Sequence, residues 1–211
     1  MDVALGFRPH TGWAVAVAVA GDLASPQVVD RRVLPLTDED HIPAQVYHAA
    51  VGLDLATAEE LVRRAEEIVI QVTEREIAGF LASLRTTGHT PLTAGIATTA
   101  GGSETVSAHQ GSPQADVAYV LAAHMRMHAA EGELYGEALA DALSEAGLMV
   151  TRVHPREVTA VAVRGLQRDA ESLQQAVKAL GVPLGPPWRK DEKEATLLAW
   201  TALAELRSTI D

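Results

Sequence analysis

The residues of this chain best suited to chemistry lie between His124 and Glu133, in a stretch reading His-Met-Arg-Met-His-Ala-Ala-Glu-Gly-Glu. In a helix, with about 100° of turn per residue, His124, His128 and Glu131 share one face. Imidazoles at i and i+4 with a carboxylate one turn further on can hold a small divalent ion or act as general acid and base. A phosphoester hydrolase or nuclease built on such ligands is one reading. The His-Glu-x-x-His signature is absent, because Met125 follows His124. The plainer reading is a polar stripe whose histidines face water or donate to backbone carbonyls under a loop. His10 and His48 are the further imidazoles on which a ligand set would draw.

Gly132 and Gly136 interrupt the same stretch, each weakening a helix by about 1 kcal/mol relative to alanine. Glycines four apart let another backbone come close, so the region of Glu131, Glu133 and Glu137 suits a crossing helix, a ligand or the seam of a homodimer. Tolerance inside a well-packed helix is the alternative. Gly101-Gly102-Ser103 lacks the lysine and the glycine spacing of a phosphate loop and reads as a flexible connection. No Gly-x-Ser-x-Gly elbow exists, and with 0 Cys there is no thiolate metal site, disulfide or cysteine nucleophile. Trp188, after Gly185-Pro186-Pro187, is placed to clamp a stiff linker onto the core, with ligand stacking the other role.

The elements that must position these residues follow from periodicity. Residues 3 to 20 read as one long strand bent at Pro9, with Val15, Val17 and Val19 alternating with alanine. Gln27 to Leu36 is a second strand, pairing antiparallel with the first, and a third strand has room between 38 and 55. Thr57 and Glu60 form a capping box opening a helix of about eight turns, in which Leu61, Ala65, Ile68, Val72, Ile77, Leu81 and Leu84 keep helical spacing up to Gly88. Pro91 to Thr98 suits a buried central strand, and Thr99 to Ser112 a polar loop. Pro113 opens the helix of the His/Glu face and Gly147 closes it. Leu148 to His154 is a strand, Pro155 to Gln167 a helix, 169 to 180 an amphipathic segment, and Asp191 to Leu206 a final helix.

The 211 residues are 47% apolar and only 4% aromatic, which predicts a single α/β domain over 1–211 with small aliphatic side chains packing helices on a sheet. The N-terminus lacks a signal-peptide pattern and the apolar run Trp13 to Ala20 is too short to span a bilayer, so a soluble cytoplasmic protein is expected, with no membrane partner. Lys and Arg number 17 against 28 Asp and Glu, a net charge of −11, and no basic block appears. That disfavours non-specific nucleic-acid binding, although Arg152, Arg156, Arg164 and Arg168 supply a modest local groove.

The order of elements and the residues of the first strand resemble the ribonuclease H-like superfamily, and within it the RuvC-type resolvases. The matching stretch is Gly6-Phe7-Arg8-Pro9-His10-Thr11-Gly12-Trp13-Ala14, and the last helix opens Asp191-Glu192-Lys193-Glu194-Ala195 where that family reads Asp-x-x-Asp-Ala. The His-Thr-Gly-Trp strand and the Ala-Ala-Glu-Gly-Glu helix are also similar to uncharacterised bacterial proteins, a likeness that brings no function with it.

The resemblance implies an antiparallel first hairpin, then parallel strands in one mixed central sheet, with helices on both faces. It implies that Arg8, His10, Asp191 and Glu194 meet at one sheet edge. In the family, carboxylates at this edge hold two divalent ions that activate water and stabilise a leaving oxygen. Here Arg8 stands at the first aspartate position, and Leu92 to Thr98 offers no carboxylate where the family has a glutamate. The implied protein is catalytically degenerate: either Arg8 binds a small anionic ligand or protein partner at this edge, or it simply pairs with Asp191 or Glu194. A metal-dependent nuclease or phosphoester hydrolase using His124, His128 and Glu131, and a structural homodimeric interaction protein, are the alternatives.

Overall fold

The structure, a computed structural model, describes residues 1–99 and 116–210. Five strands, β1 (Asp2–His10), β2 (Trp13–Asp22), β3 (Ser25–Pro35), β4 (Thr90–Ala97) and β5 (Met149–Val153), form one sheet in the order β3-β2-β1-β4-β5. β1, β2 and β3 pair antiparallel, whereas β4 runs parallel to β1 and β5 parallel to β4. The helices are α1 (Val46–Ala49), α2 (Leu55–Thr86), α3 (Val117–Leu121), α4 (His124–Glu145), α5 (Val158–Leu166), α6 (Ala170–Gly181) and α7 (Lys190–Ile210). This is the mixed sheet, hairpin first and parallel strands after, that the element order implies.

Strand alternation decides which helices lie on which face. Val3, Leu5 and Phe7 of β1, with the alanines of β2, pack into a core with α2 and α4. Ala4 and the β2 valines Val15, Val17 and Val19 face a second core built with α5, α6 and α7. By the same parity Gly6 and Arg8 belong to the α7 side. Gly6 lets α7 lie directly on β1, since a Cβ there would run into the Ala195 carbonyl oxygen.

The long first strand expected over residues 3–20 is two strands. The chain reverses at Thr11-Gly12, where Gly12 takes φ +85°, and His10 pairs with Trp13. Alternation of small apolar residues continues on both sides of the turn, so periodicity alone hides it. Pro9 remains in β1 just past Phe7, the last residue that pairs with β4. No strand forms between 38 and 55; that segment instead sinks Ile42, Val46, Tyr47 and Ala50 into the α2–α4 core. The cap of α2 is Asp54, which accepts from the Thr57 backbone N–H at 3.1 Å, in place of the expected Thr57–Glu60 box.

The His/Glu helix begins later than expected. Pro113 and Gly101-Gly102-Ser103 lie outside the described residues, and at Ala123 the chain is extended (φ −151°, ψ 126°), separating α3 from α4. Ala122-Ala123 would favour helix on propensity, but burial of Val117, Val120 and Met127 sets the angle between the two segments. His124 is therefore the first residue of α4. Among the described residues no helix is long and apolar enough to cross a membrane.

Candidate functional site

Because Arg8 shares the parity of Gly6, its side chain rises beside the start of α7, which Gly6 brings onto the sheet. There Arg8 Nε donates to Glu194 Oε2 at 2.9 Å and stands 3.9 Å from Asp191 Oδ1. His10 Nε2 lies 3.2 Å from Asp191 Oδ2, too far off axis for a hydrogen bond, and its ring stacks on Trp13 with centroids 4.2 Å apart. Lys190 Nζ approaches the other Glu194 oxygen at 3.6 Å. The Arg8 and Glu194 side chains are only 18% and 16% exposed. Glu192, buried between them in sequence, accepts from the Arg189 N–H at 2.7 Å and so caps the helix.

The structure thus brings Arg8, His10, Asp191 and Glu194 together. It does not make them a two-metal centre. Such a centre needs several carboxylate oxygens free to face the ions, and here Glu194 is taken by a guanidinium. The end of β4 supplies Ala97 and Thr98, with no carboxylate. Two cations, two carboxylates and an imidazole form a nearly neutral polar cluster, which the residue set fits better than it fits divalent ions.

On the hairpin side of this cluster lies an open groove of about 530 Å³ whose lining includes Trp13, Val33, Pro35, Asp38, Glu39 and Asp40, with Arg75 as its one cation among the described residues. Trp13 and Val33 are 37% and 60% exposed. Three consecutive acidic residues over an apolar floor make it a cation-favouring groove.

The second cluster sits across the sheet, on the α4 side. Three imidazoles converge there: His48 from α1, and His124 and His128 from the first turns of α4. Ring centroids are 5.1 Å apart for His48–His124, 4.6 Å for His48–His128 and 4.5 Å for His124–His128. One nitrogen from each lies within 4.8 Å of the others. Glu131 stands behind them. Its Oε1 is 2.8 Å from His48 Nδ1 and 3.4 Å from the His48 backbone N. Nδ1 faces the carboxyl group, which when ionised only accepts; in the neutral imidazole the proton then sits on Nδ1 and Nε2 keeps its lone pair. His48 Nε2 and Glu131 Oε2 are both buried without a hydrogen-bond partner.

The sequence spacing placed His124, His128 and Glu131 on one face, and of the two further imidazoles it named the structure brings in His48, while moving Glu131 from beside the imidazoles to behind one of them. His10 belongs to the Arg8 edge instead. Nearby, Tyr135 donates to the Ala44 carbonyl at 2.8 Å. Burial, with Glu131 and Glu39 adding to it, pushes its phenol up to about 12 against a smaller opposing effect of the nearby Thr37. Tyr47 is likewise pushed up to about 12, first by burial and then by Glu66, Glu133 and Glu131.

The remaining candidates resolve into packing. Gly136 admits Thr98 at the end of β4, so the close approach there is to a strand end, while Gly132 has nothing within 4 Å of its Cβ position. Arg152 binds Glu137 at 2.5 Å, and Arg168 lies over Trp200 and points at the Leu23 and Ala24 carbonyls, so the expected basic groove loses two of its four members to internal pairing. Trp188 stacks on Gly181 and donates to the Val177 carbonyl at 2.9 Å, fastening the linker to α6.

No family model and no curated protein matches the sequence. Solved structures are. Thermus thermophilus RuvC in complex with a Holliday junction substrate superposes with a TM-score of 0.52 at 15% identity, over 99% of this chain and 96% of that one. A second structure of Thermus thermophilus RuvC gives 0.53 at 14% identity, over 98% and 96%. At these identities the likeness is one of fold, and it runs the whole length of both chains.

Proposed function

We propose that this chain, which has the RuvC-type ribonuclease H-like fold, no longer performs two-metal phosphodiester cleavage and uses its former active edge as a protein-binding surface. The observation that carries the reading is the 2.9 Å bond from Arg8 Nε to Glu194 Oε2. It puts a fixed cation where metal-ligand oxygens would have to stand free. A small anion is the weaker occupant, because the Arg8 charge is already matched by Glu194 and Asp191. The adjoining groove of Trp13, Val33, Asp38, Glu39 and Asp40 instead complements a basic segment of a partner protein carrying an apolar or aromatic residue. The related RuvC is bound to a Holliday junction. A net charge of −11 argues against the same substrate here.

Two measurements test this. Incubation with four-way DNA junctions and Mg²⁺ or Mn²⁺ is expected to yield no cleavage; cleavage that disappears with Glu194→Ala overturns the reading. Lys/Arg-rich peptides containing Trp or Leu are expected to bind in low salt, with acidic peptides silent and Trp13→Ala weakening binding about tenfold. Equal binding of both peptide classes, or none of either, removes the proposed partner chemistry.

A further inference from the structure

We propose that His48, His124 and His128 form a binding site for a divalent transition ion of the zinc type, with Glu131 as the carboxylate that orients His48. The site lies across the sheet from the Arg8 edge and goes beyond the protein-binding reading. Neither depends on the other.

The donors are already gathered. One nitrogen from each imidazole lies within 4.8 Å of the other two. Zinc–nitrogen bonds of about 2.0–2.1 Å place tetrahedral donors about 3.3 Å apart, so each pair closes by at most about 1.5 Å. His124 and His128 are exposed and free to make that adjustment, whereas His48 is held. What holds it is the arrangement found behind metal-bound imidazoles: one ring nitrogen donates to a carboxylate, which fixes the tautomer and directs the other nitrogen at the ion. Here Glu131 Oε1 takes His48 Nδ1 at 2.8 Å.

The free nitrogen is the independent sign of a missing partner. His48 Nε2 is buried without a hydrogen bond, and so is the second oxygen of the wholly buried Glu131. Buried polar atoms are ordinarily satisfied, and an ion between the three rings would satisfy the first of these. The buried Glu131 carboxyl group, 2.8 Å from His48 Nδ1, supplies negative charge beside the site and opposes the α4 N-terminus, whose dipole disfavours a cation at its first turn.

An all-imidazole donor set selects against Mg²⁺ and Ca²⁺, which require oxygen ligands, and in favour of Zn²⁺, Co²⁺, Ni²⁺ or Cu²⁺. Three protein ligands on a solvent-facing surface leave a fourth position for water, the donor count of an open site. The ion would also tie the segment carrying α1 to α4.

The experiment uses the full chain, stripped with chelator, dialysed and titrated with Zn²⁺ by calorimetry and with Co²⁺ by visible absorption. One ion per chain with a Kd of about 1 µM or tighter is expected, together with the d–d bands of low-coordinate Co²⁺. His124→Ala and His128→Ala, both at exposed positions, are each expected to weaken binding at least about 100-fold with unchanged circular dichroism; Glu131→Gln is expected to weaken it about 10–100-fold. His41→Ala, in an exposed loop, leaves binding unchanged. Absence of a stoichiometric ion, affinity that survives His128→Ala, or equal loss on His41→Ala overturns the site.

Discussion

Glu131, wholly buried on α4, holds His48 of α1 twice through a single oxygen, at 2.8 Å from the ring Nδ1 and 3.4 Å from the backbone N. With the Tyr135 bond to the Ala44 carbonyl, this pins the irregular segment before α2 against α4. Replacing Glu131 by Ala leaves two His48 donors without their acceptor in a part-buried place, at a cost of about 2–3 kcal/mol. The His48 side chain is 23% exposed and can turn to water, so the lower end is expected. Urea unfolding followed by circular dichroism measures it. A loss under about 0.5 kcal/mol would show that this contact does not anchor the segment.

The two buried tyrosines set the alkaline limit of stability. Both phenols are raised from 10.0 to about 12, burial being the larger cause in each. A raised folded-state value favours the protonated form in the native protein. The contribution is therefore complete below pH 10 and is lost as pH rises from about 10 through about 12. Melting temperature is expected to fall across that window, and Tyr47→Phe to flatten the fall. Tyr135→Phe flattens it too, but first removes the Ala44 bond and costs about 1 kcal/mol at neutral pH. An unchanged slope in both variants would contradict the assignment.

Arg8 and Glu194 offer a test of why the edge is closed. Arg8→Ala leaves Glu194 with the exposed Lys190 alone, for an expected loss of about 1–2 kcal/mol. Arg8→Asp is more informative, since it adds a carboxylate to Asp191 and Glu194 while removing their cation. The variant is expected to be less stable without ions and to gain several degrees in melting temperature with about 10 mM Mg²⁺, with no gain expected for the unaltered chain. If the unaltered chain gains as much, the edge is already a hard-cation site.

How far the sequence speaks depends on how local each signal is. The helical spacing of α2 and the valine alternation of β2 are local, and each pattern falls within an element that the structure forms. The reversal at Thr11-Gly12 is missed by the same pattern, because small and larger apolar residues alternate from Val3 to Phe7 in β1 as they do from Ala14 to Ala20 in β2. The break at Ala122-Ala123 runs against propensity and is set by where Val120 and Met127 find burial. At the sites, the i, i+4 spacing of His124 and His128 is written in α4, but His48 joins them only through the packing of α1 on that helix. Arg8 and Glu194 lie at opposite ends of the chain. Only the resemblance of their two short motifs to a known frame could pair them.

Two glycines that look alike in sequence should respond to alanine with opposite sign. Gly6 sits where β1 passes beneath α7, and a Cβ there would collide with the Ala195 carbonyl oxygen and press on the Ala199 nitrogen, both backbone atoms that cannot turn aside. Gly6→Ala must push α7 off the sheet, disturbing the helix that also carries Asp191 and Glu194. A loss of at least about 3 kcal/mol, or failure to fold, is expected. Gly132, within α4, has nothing within 4 Å of its Cβ position and an ordinary helical setting. Gly132→Ala is expected to stabilise the protein by about 0.5–1 kcal/mol, through helix propensity and a less flexible unfolded chain. Paired urea titrations decide both. A destabilising Gly132→Ala would mean that a second backbone packs against this face, as in a homodimer, and the oligomeric state measured alongside would then be two.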